Sequence, residues 1–572
     1  MKTISMDVSI ANLERHTDTI AQWIRLSGSD EERRAFDYVR SELESYGFRI
    51  SQYESEALIG YPGSSTFEVL GAQSIKVECN GYSLSPSTSI EGIRAELIYV
   101  GKSADADYGG KDVAGKVVLS DGLATPGKAV AAMRAGAAGQ VHINDAHIHE
   151  MCISPVWGTP LPETGDLLPS VPAVGISQVD GDRLKQMLAS GWLDVRLMTQ
   201  PYRQWTKIPT LIADLSGQNE DTFVLFSGHI DSWHYGAMDN GTANATQIEV
   251  GRLLAENRDA LRRGVRLAFW SGHSHGRYAG SAWYADQHWQ ELHDKCVCHV
   301  NIDSVGAITA DVLEEAPTMA ESFEFARDVI RAMTGRELTY KRISRSGDQS
   351  FWGHGVPSLF ISLSEQTMDE SPTSQAMGQL LGTGGRGGGL GWWWHTTEDT
   401  MDKIDSDNLL RDARVYAETL WRLCTEERLP FKYAAAAKEI SASLSSYNEK
   451  AGSAFDLTKT IALANELADR LESLNLDELD PYAANVFIMA VGRILTPVNY
   501  TKEGPFSHDL ALGTAPLPGL LDVSKLEELD PETDGYRFLM VRLVRERNRI
   551  EHALIEASRR ADQIVREGSA RG

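Results

Sequence analysis

Apolar positions along the chain change their period several times, and each change marks an element. From Ile10 to Tyr46 they recur every three to four residues, which predicts two helices separated at Ser27-Gly28-Ser29. The first is amphipathic from Leu13 to Leu26. The second starts under a Ser29 or Asp30 cap, has Glu31 and Glu32 in its first turn, carries an apolar stripe of Phe36, Val39, Leu43 and Tyr46, and stops at Gly47. Phe48 to Tyr53 reads as a strand. From about Gly60 to Tyr202 short apolar runs alternate with turn residues: AELIYV at 95–100, KVVL at 116–119, and a strand at 139–143 behind a helix from Gly127 to Ala135. This texture predicts a separate β-rich module without a catalytic cluster. Its His147 and His149 are expected on a loop surface.

A second α/β stretch follows, with strands predicted at Pro209 to Leu215, Thr222 to Phe226, Val265 to Trp270, Val297 to Ile302 and Pro357 to Ile361. Helices are predicted at Thr242 to Glu256, Tyr278 to Leu292, Ser322 to Thr334 and Asn408 to Cys424. A glycine-rich run, Gly382 to Gly391, precedes Trp392-Trp393-Trp394-His395. Beyond Ala434 the helical period dominates, over Asp456 to Leu474, Pro481 to Leu495 and Gly535 to Glu567.

Composition narrows the class. The 572 residues are 42% hydrophobic and 24% charged, an ordinary globular balance with room for several domains. A formal net charge of -25 argues against nucleic acid or an anionic membrane as the main partner. Cys79, Cys152, Cys296, Cys298 and Cys424 are too scattered for a disulfide framework and suit a reducing compartment. Cys296 and Cys298 are expected as small buried residues. The N-terminus shows no signal-peptide pattern and no run reads as long enough to span a membrane, so the expectation is a cytoplasmic protein.

The chemistry concentrates in TFVLFSGHIDSWHYGAMDNG, residues 222–241. An apolar strand opens into His229, Asp231, His234 and Asp239, where α/β proteins place their sites. Imidazole and carboxylate together suit zinc or a similar divalent ion. In an extended segment His229 and Asp231 point to one side, so one ligates while the other orients it.

The motifs GHIDSW, AMDNGTANA, NIDS and WWWHTTEDTMDKID stand in an order that resembles the co-catalytic zinc exopeptidase superfamily of zinc aminopeptidases, glutamate carboxypeptidase and the transferrin receptor. The segments ELIYVG, DVAGKVVL and AAMRAGAAG look like the protease-associated domain inserted in one of its branches. The resemblance implies a three-layer α/β sandwich with a mixed, mainly parallel sheet, a β-rich inserted domain and a C-terminal helical domain. The corresponding boundaries are 1–59 with 203–430 for the catalytic domain, 60–202 for the insertion and 431–572 for a helical, dimerising domain. It further implies one metal at His229, Asp239 and Asp303, and a second at Asp239 and His395. One or two divalent ions per chain are expected, zinc foremost, with manganese, iron or cobalt compatible.

The chain departs from that pattern after Trp270. Where the family has two consecutive glutamates, a base and a ligand, this sequence has His273 and Ser274, followed by His275. If extended, His273 and His275 project together, one replacing the ligand and the other serving as base. Asp348, Arg277, Tyr278 and Trp394 are candidate substrate contacts, with Asp348 binding an amine or orienting a ligand and Arg277 with Tyr278 polarising a carbonyl. The expected function is metal-dependent hydrolysis of a C–N bond in a peptide or small amide. The competing expectation is an inert binding or scaffold protein on a degenerate peptidase fold.

Overall fold

The computed structural model describes residues 3–218, 221–368, 370–381 and 389–571. Residues 382–388 of the glycine-rich run lie outside them.

Two N-terminal helices, Ile10–Ile20 and Asp30–Ser45, are capped by Ser9 and Ser29, whose side chains accept the N–H of Asn12 and Glu32. A first strand, β1, runs Arg49–Val69, far beyond the predicted Tyr53. The inserted unit supplies β2 (Ile75–Val77), β3 (Asn80–Gly81), β4 (Ile93–Tyr99), β5 (Val117–Asp121), β6 (Gly139–Ile143) and β7 (Ala173–Ile176). The chain returns through β8 (Leu193–Leu215) and continues with β9 (Phe223–His229), β10 (Gly264–Trp270), β11 (Cys296–Asn301) and a short β12 (Ser358–Leu359).

All twelve strands join one mixed sheet, ordered β12-β11-β9-β10-β8-β4-β5-β6-β7-β3, with β1 on β8 and β2 on β1. The β10-β9-β11-β12 block is parallel, as is β4-β5-β6-β7. β1 and β8 pair antiparallel from Arg49↔Asp214 to Val69↔Val195, with one irregularity at Tyr61/Ser64. The expected boundaries at 59/60 and 202/203 therefore fall inside two continuous strands and not in linkers.

Alternate residues of the buried strands face two cores, as period 2 requires. Val224, Phe226, Leu267 and Phe269 pack under the helices Ile10–Ile20, Asp30–Ser45, Ala243–Glu256 and Ser406–Thr425. Phe223, Leu225, Ala268 and Trp270 pack on the opposite side with Tyr284 and Leu292. That is the three-layer sandwich.

The C-terminal helices Tyr433–Ala451, Thr458–Ser473, Pro481–Tyr500 and Asp534–Arg571 share the first of these cores, so they extend the α/β unit and do not form a detached bundle. Pro481–Tyr500 is, contrary to the sequence reading, long and apolar enough to cross a membrane by length and composition. Half of it is buried, and its Arg493 donates to the carbonyls of Gly355, His293 and Cys296 beneath the sheet.

Candidate metal centre

Parallel register brings the site together. His229 ends β9 directly beside Trp270 of β10, and Asn301 of β11 pairs with Ser227. The loops leaving these three strands thus emerge at one edge of the sheet, where α/β proteins form their crevices.

His229 is 1% exposed. Its Nδ1 lies 2.8 Å from the carbonyl oxygen of Asp231, which fixes the proton on that nitrogen. Nε2 is then a bare lone pair. It faces Asp239 Oδ1 at 3.2 Å and Asp303 Oδ2 at 3.6 Å, yet makes no hydrogen bond. A lone pair turned toward two carboxylates is repulsive unless a cation lies between them. Ligands about 2.1 Å from a tetrahedral zinc stand roughly 3.4 Å apart, the spacing found here. Burial alone lowers the proton affinity of His229, but Asp303 and Asp239 outweigh it and raise it well above the ordinary value, so a proton and a divalent ion compete for Nε2. The residues fit a divalent cation.

Asp239 reaches a second imidazole through its other oxygen: His395 Nε2 lies 2.9 Å from Oδ2. The Nδ1 of His395 bonds the Glu150 carbonyl at 2.7 Å, and Trp394 stacks on its ring at 3.4 Å between centroids. The four ligands expected from the sequence thus converge. The second position lacks the carboxylate that the resemblance implies: Ser274 lines the cavity with only a hydroxyl, its N–H being donated to Asp231 Oδ2 at 2.8 Å.

The histidine segment is not extended. His273–Gly276 is one helical turn between Gly272, at φ +75°, and Arg277, at φ +47°. Residues two apart on a helix face opposite ways, so the two imidazoles part company. His273 turns into the cavity, stacks on His229 at 3.7 Å between centroids, and holds Asp348 Oδ2 with Nδ1 at 2.7 Å. His275 turns away into full burial, against Ser27 Oγ at 2.9 Å, Trp233 and Tyr61. It does not line the cavity, and burial keeps its ring proton affinity low.

The cleft spans about 630 Å³, part of it open to solvent. Asp239, Asp303, His273 and His395 face it together with Arg277, Tyr278, Trp233, Trp394, Leu380 and Leu390. Arg277 donates through Nε to Ser154 O at 3.1 Å and through Nη2 to Cys152 O, clamping the inserted unit onto the site. Asp348 is committed to His273 and Ser281, so it orients and does not present a free carboxylate to an amine. Trp270 and Trp352 are core residues, while Trp392 is 45% exposed under His147. His149, expected on the surface, is buried and bonds Trp394 O at 2.5 Å.

Sequence reasoning missed the supports. Asp399 accepts the N–H groups of Met238 and Asp239 at 2.8 and 3.0 Å. Arg25, fully buried, donates to the carbonyls of Ile20, Trp23, Ile230, Tyr235 and Gly236, holding the loop between His229 and Asp239. Asp399 sits four residues after His395 within the quoted motif, a usable signal. Arg25 sits in a loop 205 residues upstream of Ile230 and had none.

Residues 210–420 match the model of peptidase family M28 and residues 93–184 that of the PA domain. Carboxypeptidase Q of Xenopus laevis is 23% identical over 306 residues, covering 51% of this chain and 63% of that protein. Leucine aminopeptidase 2 of Trichophyton tonsurans is 26% identical over 306 residues, covering 52% and 58%. The chain thus spans less than two thirds of these relatives' own length. Among solved structures, the aminopeptidase from Aneurinibacillus sp. strain AM-1 superposes with TM-score 0.54 at 21% identity, over 74% of this chain and 95% of that one. The zinc aminopeptidase of Bacillus subtilis gives 0.54 at 18%, over 74% and 96%. The α/β unit thus matches the model of peptidase family M28 over residues 210–420, and the insertion matches that of the PA domain over residues 93–184.

Proposed function

We propose that the protein is a metal-dependent exopeptidase that cleaves a terminal C–N bond of short peptides or small amides. The observation that carries this reading is the buried Nε2 of His229, without a hydrogen bond and facing two carboxylates that line the cleft. His229, Asp239 and Asp303 would hold one divalent ion, zinc before manganese, iron or cobalt. His395 shares Asp239 but, with Ser274 opposite, offers a second ion a poorer site.

A bound divalent ion supplies Lewis acidity toward water and the substrate carbonyl. The chain supplies the rest. His273 takes the proton of the attacking water at Nε2 and returns it to the leaving nitrogen. Arg277 and Tyr278 stabilise charge developing on the carbonyl oxygen. Trp233, Trp394 and Leu390 receive the apolar part of the substrate and exclude water.

The test is turnover by zinc-loaded protein on a panel of dipeptides and tripeptides with free or blocked ends. Release of a terminal residue, abolished by chelation and restored by metal, is the expected result. A protein that retains zinc but hydrolyses none of them refutes the exopeptidase reading in favour of a binding role.

A further inference from the structure

His273 is near enough to His229 and Asp303 to share their ion: their ligand atoms lie within 4.8 Å of one another. Ring geometry argues otherwise. The imidazoles of His229 and His273 are stacked, 3.7 Å between centroids and 14° from parallel. An imidazole lone pair lies in its ring plane, and a metal sits about 2.1 Å out along it. Two nearly parallel planes at stacking distance do not meet at such a point. An ion shared equally would stand about 60° out of both planes at that bond length.

Something else fixes His273. Its Nδ1 meets Asp348 Oδ2 at 2.7 Å. Asp348 is 1% exposed and receives Ser281 Oγ on its other oxygen at 2.6 Å. Ser281 in turn contacts Ser350 Oγ at 2.9 Å, which accepts Trp157 Nε1 at 2.9 Å. The His273 N–H is donated to Asp231 Oδ1 at 3.3 Å, and Tyr278 closes the ring's edge, 4.8 Å between centroids at 80°.

Resting on the hydrolase reading, we infer that Asp348, steadied by Ser281, is a positioning residue that keeps the His273 proton on Nδ1 and its Nε2 bare. That makes His273 a base beside the ion and not one of its ligands. His273, at the position where the resemblance implies the first glutamate, thereby serves as base through an aspartate–histidine pair, and no second histidine is needed.

The experiment compares zinc-loaded wild type with His229→Ala, His273→Ala, Asp348→Asn and Asp348→Glu. Readouts are zinc affinity by chelator competition, turnover of a peptide substrate, and the His273 tautomer from ¹⁵N shifts. His229→Ala should lose zinc. His273→Ala and Asp348→Asn should keep zinc affinity within about threefold, while turnover falls roughly a hundredfold or more and about tenfold to a hundredfold respectively. Asp348→Glu should recover part of the asparagine loss, and Asp348→Asn should shift the His273 proton off Nδ1. Zinc affinity falling in His273→Ala as far as in His229→Ala overturns the inference, as does an unchanged tautomer in Asp348→Asn. If the wild type hydrolyses no peptide, the hydrolase reading falls, and zinc affinity with the tautomer still decides the role of Asp348.

Discussion

The carboxylate of Asp399 caps the backbone of Asp239, taking its N–H at 3.0 Å and that of Met238 at 2.8 Å. Asp239 shares its two oxygens between His229 and His395, so its placement decides both halves of the centre. Burial pushes the Asp399 carboxyl up to about 7, against the opposing pull of these two N–H groups. Asp399→Ala leaves both N–H groups unpaired. Zinc affinity should fall roughly tenfold to a hundredfold, measured by chelator competition, and Asp399→Asn, which keeps an acceptor oxygen, should lose less.

Removal of His229 tests the centre itself. His229→Ala should bring zinc content from about one per chain to background by elemental analysis. Chelation of the wild type should lower its melting temperature, because binding free energy is released to the folded state alone. Zinc content unchanged by the substitution would disprove the assignment.

Gly228 admits no side chain. A Cβ there would stand 2.8 Å from Gln247 Oε1 and 2.9 Å from the Ile302 carbonyl. Gly228→Ala must push β9 away from the segment that carries Asp303. It should cost about 1–3 kcal/mol in denaturant unfolding and weaken zinc binding, with the loss of zinc distinguishing it from an ordinary core defect.

Glu321 gives the fold a pH dependence away from the metal. It is buried under the C-terminal helices, which pushes its carboxyl up to about 7. One oxygen meets Thr496 at 3.4 Å and the other has no partner. The unfolded chain releases this proton near pH 4.5, whereas the folded one keeps it until about pH 7. The stability the proton brings is therefore complete below pH 4.5 and lost as pH rises to 7. Glu321→Gln should flatten that slope and raise stability at pH 8 by at most about 3 kcal/mol. A difference in melting temperature independent of pH would count against it.

Assembly follows from the helical end. Tyr482 and Val486, one turn apart on Pro481–Tyr500, are 71% and 50% exposed, and Phe538 and Val541 on Asp534–Arg571 are 71% and 52% exposed. Apolar surface of this kind favours association. We expect a two-fold dimer by light scattering at low micromolar concentration, weakened by Phe538→Glu.

Much of this was legible in the chain because the relevant signals are local. The apolar runs of β9, β10 and β11 announce buried parallel strands; His229 ends the first, Asp303 closely follows the third, and Asp239 lies in the loop beyond β9, so the place where they converge could be read from the strand ends. His395 came from its motif. The histidine segment misled because spacing cannot say whether two residues lie on a strand or a helix: alternation puts His273 and His275 together, one helical turn puts them apart. Gly272 and the left-handed Arg277 and Tyr278 close that turn, and only the fold shows it. His149 and Arg25 were opaque for a related reason. Their roles depend on the carbonyls of Trp394 and Gly236, residues distant in sequence.

The unbroken strands β1 and β8 set the order in which the chain must assemble. Arg49 and Asp214 are 165 residues apart, so zipping these strands closes the longest loop in the sheet. The β4-β5-β6-β7 block lies inside that loop, contacts near neighbours in sequence, and has its own core around Val117, Leu119 and Val141. Short closures come first. The insertion should therefore condense ahead of the unit that hosts it. By drawing β1 and β8 together at Val69 and Val195, it would hand the α/β half a pair of strands already in register.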